Sequence, residues 1–136
     1  MMSSPNVDLV RSIYADWERG GIGQVLQGAA EWSHPEFEFV AADGPLAGSF
    51  TGVEAEESVY GMLAAWEELR FEVEEYRELD DDRVLVLERR IGRGKGSGVE
   101  TSAKAATLIH FRDGKLARIV SYWDRYRALA DLGLEG

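Results

Sequence analysis

Two charged side chains sit where a sheet should be apolar, and their types invite a chemical reading. Arg89 lies in the run Arg83 to Ile91, which alternates like a strand, on a face otherwise made of Leu85, Leu87 and Ile91. A guanidinium there is costly to bury unless it is paired. Glu38 holds a similar place in Glu36 to Ala41, where Phe37 and Phe39 fall on one side and Glu38 and Val40 on the other. If both point inward they are natural partners, and a carboxylate in an apolar pocket is how a general base is tuned. An Arg89 at a watery cavity mouth is the alternative, and the spacing leaves both open.

Other chemical motifs are weaker. The segment Gly92-Arg-Gly-Lys-Gly-Ser-Gly98 lacks the Gly-Lys-Ser/Thr step into a helix that a phosphate loop needs, so it reads as a hairpin loop. His34 and His110 are far apart and lack metal-ligand spacing. No Gly-x-Ser-x-Gly elbow is present, which leaves a serine triad without support. Four tryptophans, Trp17, Trp32, Trp66 and Trp123, suit either a packed core or, with Tyr14, Phe37 and Phe39, the wall of an apolar pocket.

The elements that position these residues follow from periodicity. Asn6 can cap a first helix with Val7, Val10, Ile13, Tyr14 and Trp17 on one face. Gly20-Gly21 ends it, and Ile22, Val25, Leu26 and Ala29 suggest a second, shorter helix. Glu36 to Ala41 is a strand, Ala42 to Phe50 a loop, and Thr51-Gly52-Val53-Glu54 a capping box for a helix with Val59, Met62, Leu63 and Trp66 as its apolar face. Leu69, Phe71 and Val73 alternate, and the period then slips in a way that a bulge near Glu74-Glu75 explains. After the strand from Arg83 comes a hairpin, Ala103 to Asp124, with Asp113-Gly114 at its turn, as a type I′ turn requires. This hairpin should be the middle of the sheet. Tyr126 to Leu132 is a short terminal helix ending at Gly133. Helices first and a meander afterwards predict an α+β fold with an antiparallel sheet.

Bulk properties narrow the function classes. The 136 residues make one domain, large enough to bury about two-thirds of its unfolded surface. The 45% hydrophobic content fits a globular chain, with residues 1–5 expected to be disordered. The net charge of −10 disfavours nucleic acid and anionic membranes as partners. Absence of cysteine and of a visible signal peptide fits a cytoplasmic protein. No apolar run approaches the ~20 residues of a membrane span.

Three segments carry a resemblance that covers roughly Val7 to Leu132. They are Tyr14-Ala-Asp-Trp-Glu-Arg-Gly-Gly21, His34-Pro-Glu-Phe-Glu-Phe39, and Arg112-Asp-Gly-Lys-Leu-Ala-Arg-Ile119 leading to Tyr122-Trp-Asp-Arg125. Their order and spacing resemble the SnoaL-like branch of the nuclear-transport-factor-two-like superfamily. That resemblance implies a cone: a curved antiparallel or mixed sheet wrapped around three N-terminal helices, with a deep apolar cavity. Members include polyketide cyclases, ketosteroid isomerases, epoxide hydrolases and non-enzymatic binders, often dimeric, so fold alone does not fix function.

Matched to the ketosteroid isomerases, the two catalytic carboxylates fall on Val40 and Thr107, the helix-one tyrosine on Tyr14 or Ile13, and the cavity tryptophan on Trp123. Matched to the limonene-type epoxide hydrolases, the arginine falls on Arg89, its two aspartates on Ile91 and Ser121, and the first-strand pair on Glu38 and Val40. Both catalytic sets are incomplete. The resemblance therefore implies inward positions at Glu38, Val40, Leu87, Arg89, Thr107, Ser121 and Trp123. The leading expectation is cofactor-independent isomerase- or cyclase-type chemistry, without metal, on a small, mostly apolar, carbonyl-bearing molecule. Glu38 would move the proton, Arg89 would pair with it or hold the developing oxyanion, and Tyr14, Trp17 and Trp123 would pack the ligand. A non-catalytic ligand-binding module is the second expectation. A homodimer through the open sheet face, with Glu88 and Arg90 pairing across it, is the third.

Overall fold

Ser4, not Asn6, caps the first helix: its hydroxyl accepts from the Val7 amide at 3.1 Å, and Pro5 supplies the fixed φ of the first turn. The computed structural model describes residues 4–43, 47–64 and 66–134. Ser4 and Pro5 form the cap and the first turn, while residues 1–3 of the expected disordered terminus lie outside the described residues, as do Gly44 and Pro45 of the expected loop. Helix α1 (Pro5–Trp32) is broken at Gly21, where φ 67° and ψ −155° leave the helical region, so two helical segments arise as the paired glycines predict.

Strand β1 (Ser33–Ala41) is followed by β2 (Gly48–Thr51), α2 (Gly52–Ala64), β3 (Trp66–Asp80), β4 (Arg83–Gly94), β5 (Glu100–Arg112), β6 (Lys115–Tyr122) and α3 (Arg125–Asp131). Strand β2 falls at the end of the segment expected to be loop. It is four residues long and is defined by pairing with β1, Phe50 opposite Phe39, more than by any pattern of its own. Trp66, expected on the α2 face, instead opens β3.

The sheet order is β2-β1-β6-β5-β4-β3, antiparallel throughout except for the parallel pair β1 and β6. The β5–β6 hairpin is central, and both turn residues take positive φ, 55° at Asp113 and 76° at Gly114. The register of β3 against β4 shifts between Val73 and Glu75, where the sequence period slips. The result is an α+β cone, a six-stranded mixed sheet closed by helices.

Both faces of β4 to β6 are buried, which decides the placement of the site. On the inner face Val84, Val86, Ile109, Phe111 and Leu116 pack against Val7 and Val10 of α1. On the outer face Leu85, Leu87, Ala106, Leu108, Val120 and Tyr122 pack against Ala128 and Leu129 of α3. Asp124 caps α3, and the chain closes behind it with Gly133 at φ 68° and a 2.8 Å bond from the Leu134 amide to the Leu129 carbonyl. The aliphatic stripe of Leu85 and Leu87 thus belongs to this second core, not to the cone's interior. Among the described residues no helix is long and apolar enough to cross a membrane.

Candidate functional site

Between α1, α2 and the inner sheet face lies a cavity of about 290 Å³. Its wall is almost wholly apolar and aromatic: Val10, Ile13, Tyr14 and Trp17 from α1, Phe37 and Phe39 from β1, Val59 from α2, Phe71 from β3 and Ile109 from β5. Trp17 stacks on Phe71 with centroids 5.0 Å apart and planes 9° apart, which stiffens that side. Such a container favours an apolar guest, and orientation must come from the few polar groups that reach it.

Trp32, Ser33 and, on α2, Glu56 and Tyr60 lie on the wall as well, but the buried charged groups cluster on the inner face of β4 and β5. Glu88 is 0% exposed and Arg90 2% exposed. The Thr107 hydroxyl donates to Glu88 Oε1, and the Tyr14 hydroxyl donates to the same oxygen at 3.1 Å. Arg90 Nη2 donates to Thr107 Oγ1 at 3.3 Å and to the Ala106 carbonyl at 3.4 Å, and lies 3.8 Å from Glu88 Oε1. The guanidinium also sits 4.6 Å from the Trp123 ring centroid and 5.4 Å from that of Phe71. Burial, with the Glu88 charge second, pushes the Tyr14 phenol well above its ordinary value of about 10, so it stays a protonated donor.

The cluster is incomplete. Arg90 Nε and Nη1, Glu88 Oε2, Ser121 Oγ and Trp32 Nε1 are buried without a hydrogen-bond partner. Arg90, Thr107, Ser121 and Trp32 all line the cavity, whereas Glu88 sits one layer behind Tyr14 and Thr107. Orphaned buried donors cost free energy that an acceptor oxygen on a ligand would restore.

Two contacts hold this arrangement from outside. Arg125 Nη2 donates to the Glu88 carbonyl at 2.9 Å, its Nε donates to the Ala105 carbonyl at 3.3 Å, and it pairs with Glu74 at the β3 bulge. Asp43 accepts from the Trp123 and Asp124 amides at 2.7 and 3.1 Å, fixing the chain that carries the ring over Arg90.

Tyr14, Trp17, Thr107 and Ser121 therefore line the cavity, and Trp123 reaches it through Arg90, stacked on Trp66 at 5.9 Å. Four expected positions do not. Glu38 lies on the opposite side of β1 from Phe37 and Phe39; it pairs with Arg118 at 3.1 Å and accepts from Ser49. Val40 packs against the core beneath α3, and Leu87 belongs to that core. Arg89 is exposed. The expected Glu38–Arg89 pair is not formed, and Glu88 and Arg90 cannot pair across a dimer because they are buried within one chain. The error is one of parity: Leu85 and Leu87 marked a buried face, but β4 has two.

The missed residues did leave a signal. Cross-strand partners share a face, and the β4–β5 register pairs Val86 with Thr107. Placing Thr107 inside thus places Val86, Glu88 and Arg90 inside with it. The register itself was hidden by the glycine-rich Gly92–Gly98 connection. That segment is a hairpin loop, closed by a 3.2 Å bond from the Gly94 amide to the Val99 carbonyl. Among the described residues no group of three or more His, Asp or Glu side chains is arranged to hold a metal ion.

Comparison with known proteins agrees with this architecture. The family model described as SnoaL-like domain matches residues 10–119. TerC, crystallised with polyporic acid, is 25% identical, with 95% of this chain and 98% of that one covered and a TM-score of 0.73. A nuclear-transport-factor-two-like protein of unknown function from Burkholderia pseudomallei K96243 is 21% identical, with 94% and 97% covered and a TM-score of 0.75. A protein from Jannaschia sp. CCS1, provisionally described as a SnoaL-like polyketide cyclase, is 20% identical, with 96% and 94% covered and a TM-score of 0.67. No curated protein matches the chain.

Proposed function

This chain belongs to the SnoaL-like domain family, and on that premise we propose that its cavity takes a small, mostly apolar, carbonyl-bearing molecule and moves a proton on it. The carrying observation is Arg90, a guanidinium 2% exposed at the wall of an apolar cavity with two of its donor nitrogens unclaimed. The ligand oxygen docks on those donors, and the low local dielectric strengthens the contact. Glu88 stands behind the wall, so it takes the proton by way of the Tyr14 hydroxyl, which passes its own proton to Glu88 Oε1 as its oxygen accepts the one leaving the carbon beside the carbonyl. The C–H electron pair passes into an enolate whose oxygen Arg90 holds, and return of the proton to a different atom completes an isomerisation. Enolate attack on a second carbonyl would give ring closure. Tyr14 and Thr107 hold Glu88 in place through their donated hydrogen bonds.

Hydrogen–deuterium exchange tests this directly. A cyclic ketone such as 2-tetralone is incubated in D₂O with the parent and with Glu88→Gln and Arg90→Met, and loss of the α-proton resonance is followed. The parent should accelerate exchange, Glu88→Gln should abolish the acceleration, and Arg90→Met should weaken it by about tenfold or more. Equal exchange with all three proteins would remove proton transfer from the account. The position of Glu88 behind Tyr14 and Thr107 favours a second reading, a binder that holds the same molecule without chemistry; saturable binding with no exchange identifies it.

A further inference from the structure

Buried polar groups left without partners occur at both ends of one cavity. Arg90 Nε and Nη1 and Ser121 Oγ lie at one end, beside the Trp123 ring. Trp32 Nε1 lies at the other, where Trp32 packs against the core that holds Leu116 and Phe111. Trp32 directly precedes Ser33, which pairs with Leu116, and Ser121 is five residues farther along β6. At ~3.3 Å per residue that is roughly 16 Å of strand, an upper bound for a curved sheet. The indole nitrogen can only donate, as can the guanidinium. Between these ends the wall is Ile109, Ile119 and Phe39, which offer side-chain carbon alone.

Resting on the ligand-anchoring role of Arg90, we infer that the ligand is two-ended: an elongated apolar body with one acceptor oxygen on Arg90 and Ser121 and a second, a carbonyl, on the Trp32 indole N–H. A molecule with one oxygen leaves Trp32 Nε1 buried and unpaired, whereas a dicarbonyl or keto acid satisfies both ends. Trp32 is then a specificity-determining residue, selecting for the distance between the two oxygens.

The test needs only a ladder of probes: methyl-ketone fatty acids of eight, ten and twelve carbons, each beside the plain fatty acid of equal length. Affinities come from tryptophan fluorescence, and the four indole N–H signals are followed in protein labelled with ¹⁵N-tryptophan. At one spacing the keto acid should bind about three- to tenfold tighter than its plain counterpart. One indole signal, absent from Trp32→Phe, should move downfield with the keto acid and not with the fatty acid. Trp32→Phe should cancel the keto advantage and leave plain fatty-acid binding in place. The labelled parent carries the test even if that variant folds poorly. Plain and keto acids binding alike at every length, with no indole signal singled out, would overturn the two-ended ligand while leaving the Arg90 anchor standing. No binding of either series to the parent would instead remove the anchor, and the inference with it.

Discussion

Glu88 and Arg90 form a charge pair sealed inside a small domain, and their energetics are set by what surrounds them. Each is held by partners that the other does not supply: Tyr14 and Thr107 on the carboxylate, the Ala106 carbonyl and two aromatic faces on the guanidinium. Removing one charge strands the other, so Arg90→Met should cost about 3–5 kcal/mol of unfolding free energy, and Glu88→Leu a similar amount. The double replacement should recover much of that loss, because both desolvation penalties go together. Urea denaturation of the four proteins checks this, and additive losses would contradict it. Tyr14 gives a pH signature. Its folded-state pKa is raised, so its contribution is complete below about 10 and is lost as pH rises through the folded value. Alkaline unfolding should therefore be steeper in the parent than in Tyr14→Phe. His110 is shifted the other way, lowered by burial and then by Arg118 and Arg83. Its neutral form supports the fold above its ordinary pKa near 6.5, and stability falls as pH drops through that value toward the folded one. His110→Gln should flatten that acid-side slope.

At the scale of elements, the site is held by strand ends and loops more than by the α1 packing that the sequence shows first. Trp66 and Trp123 stack at the far end of the sheet, and Gly92 makes room for them: a Cβ there would stand 2.5 Å from Trp66 Cε3. Gly92→Ala should displace the pair and cost about 1–3 kcal/mol, visible as a shift in tryptophan emission. Asp43 acts at longer sequence range, since its two amide contacts hold the residue that covers Arg90. Asp43→Ala should weaken ligand binding more than it weakens folding; comparison of a binding curve with a thermal melt separates the two. The Asp113-Gly114 turn, the bulge near Glu74 and the break at Gly21 were legible in the sequence, because each leaves a local mark in residue type or period. Strand β2 was not, since only its pairing with β1 makes it a strand. Parity on β4 was not either. A strand buried on both faces reads as a continuous apolar run, and nothing local says which face looks at the cavity.

The whole molecule is an α+β cone of the SnoaL-like family whose interior is shared between a small core and a cavity, with Val10, Ile109 and Leu116 belonging to both. The family resemblance in the sequence carried the fold and named Tyr14, Thr107 and Ser121 as cavity residues, and the unusual number of aromatics pointed to Trp17. The strand alternation had already put Glu38 and Arg89 on the wrong face, and matching positions across distant relatives kept them there with Val40 and Leu87, since a one-residue slip reverses every side chain of a strand. Everything proposed for this protein depends on that one-residue distinction, and a pair of neighbouring substitutions isolates it. Decanoate is titrated by tryptophan fluorescence into the parent, Arg90→Met and Arg89→Met, with folding of each verified by circular dichroism. Loss of about tenfold or more in affinity for Arg90→Met, with Arg89→Met equal to the parent, is the predicted result. Equal affinity for the parent and Arg90→Met, or a loss confined to Arg89→Met, would contradict the account.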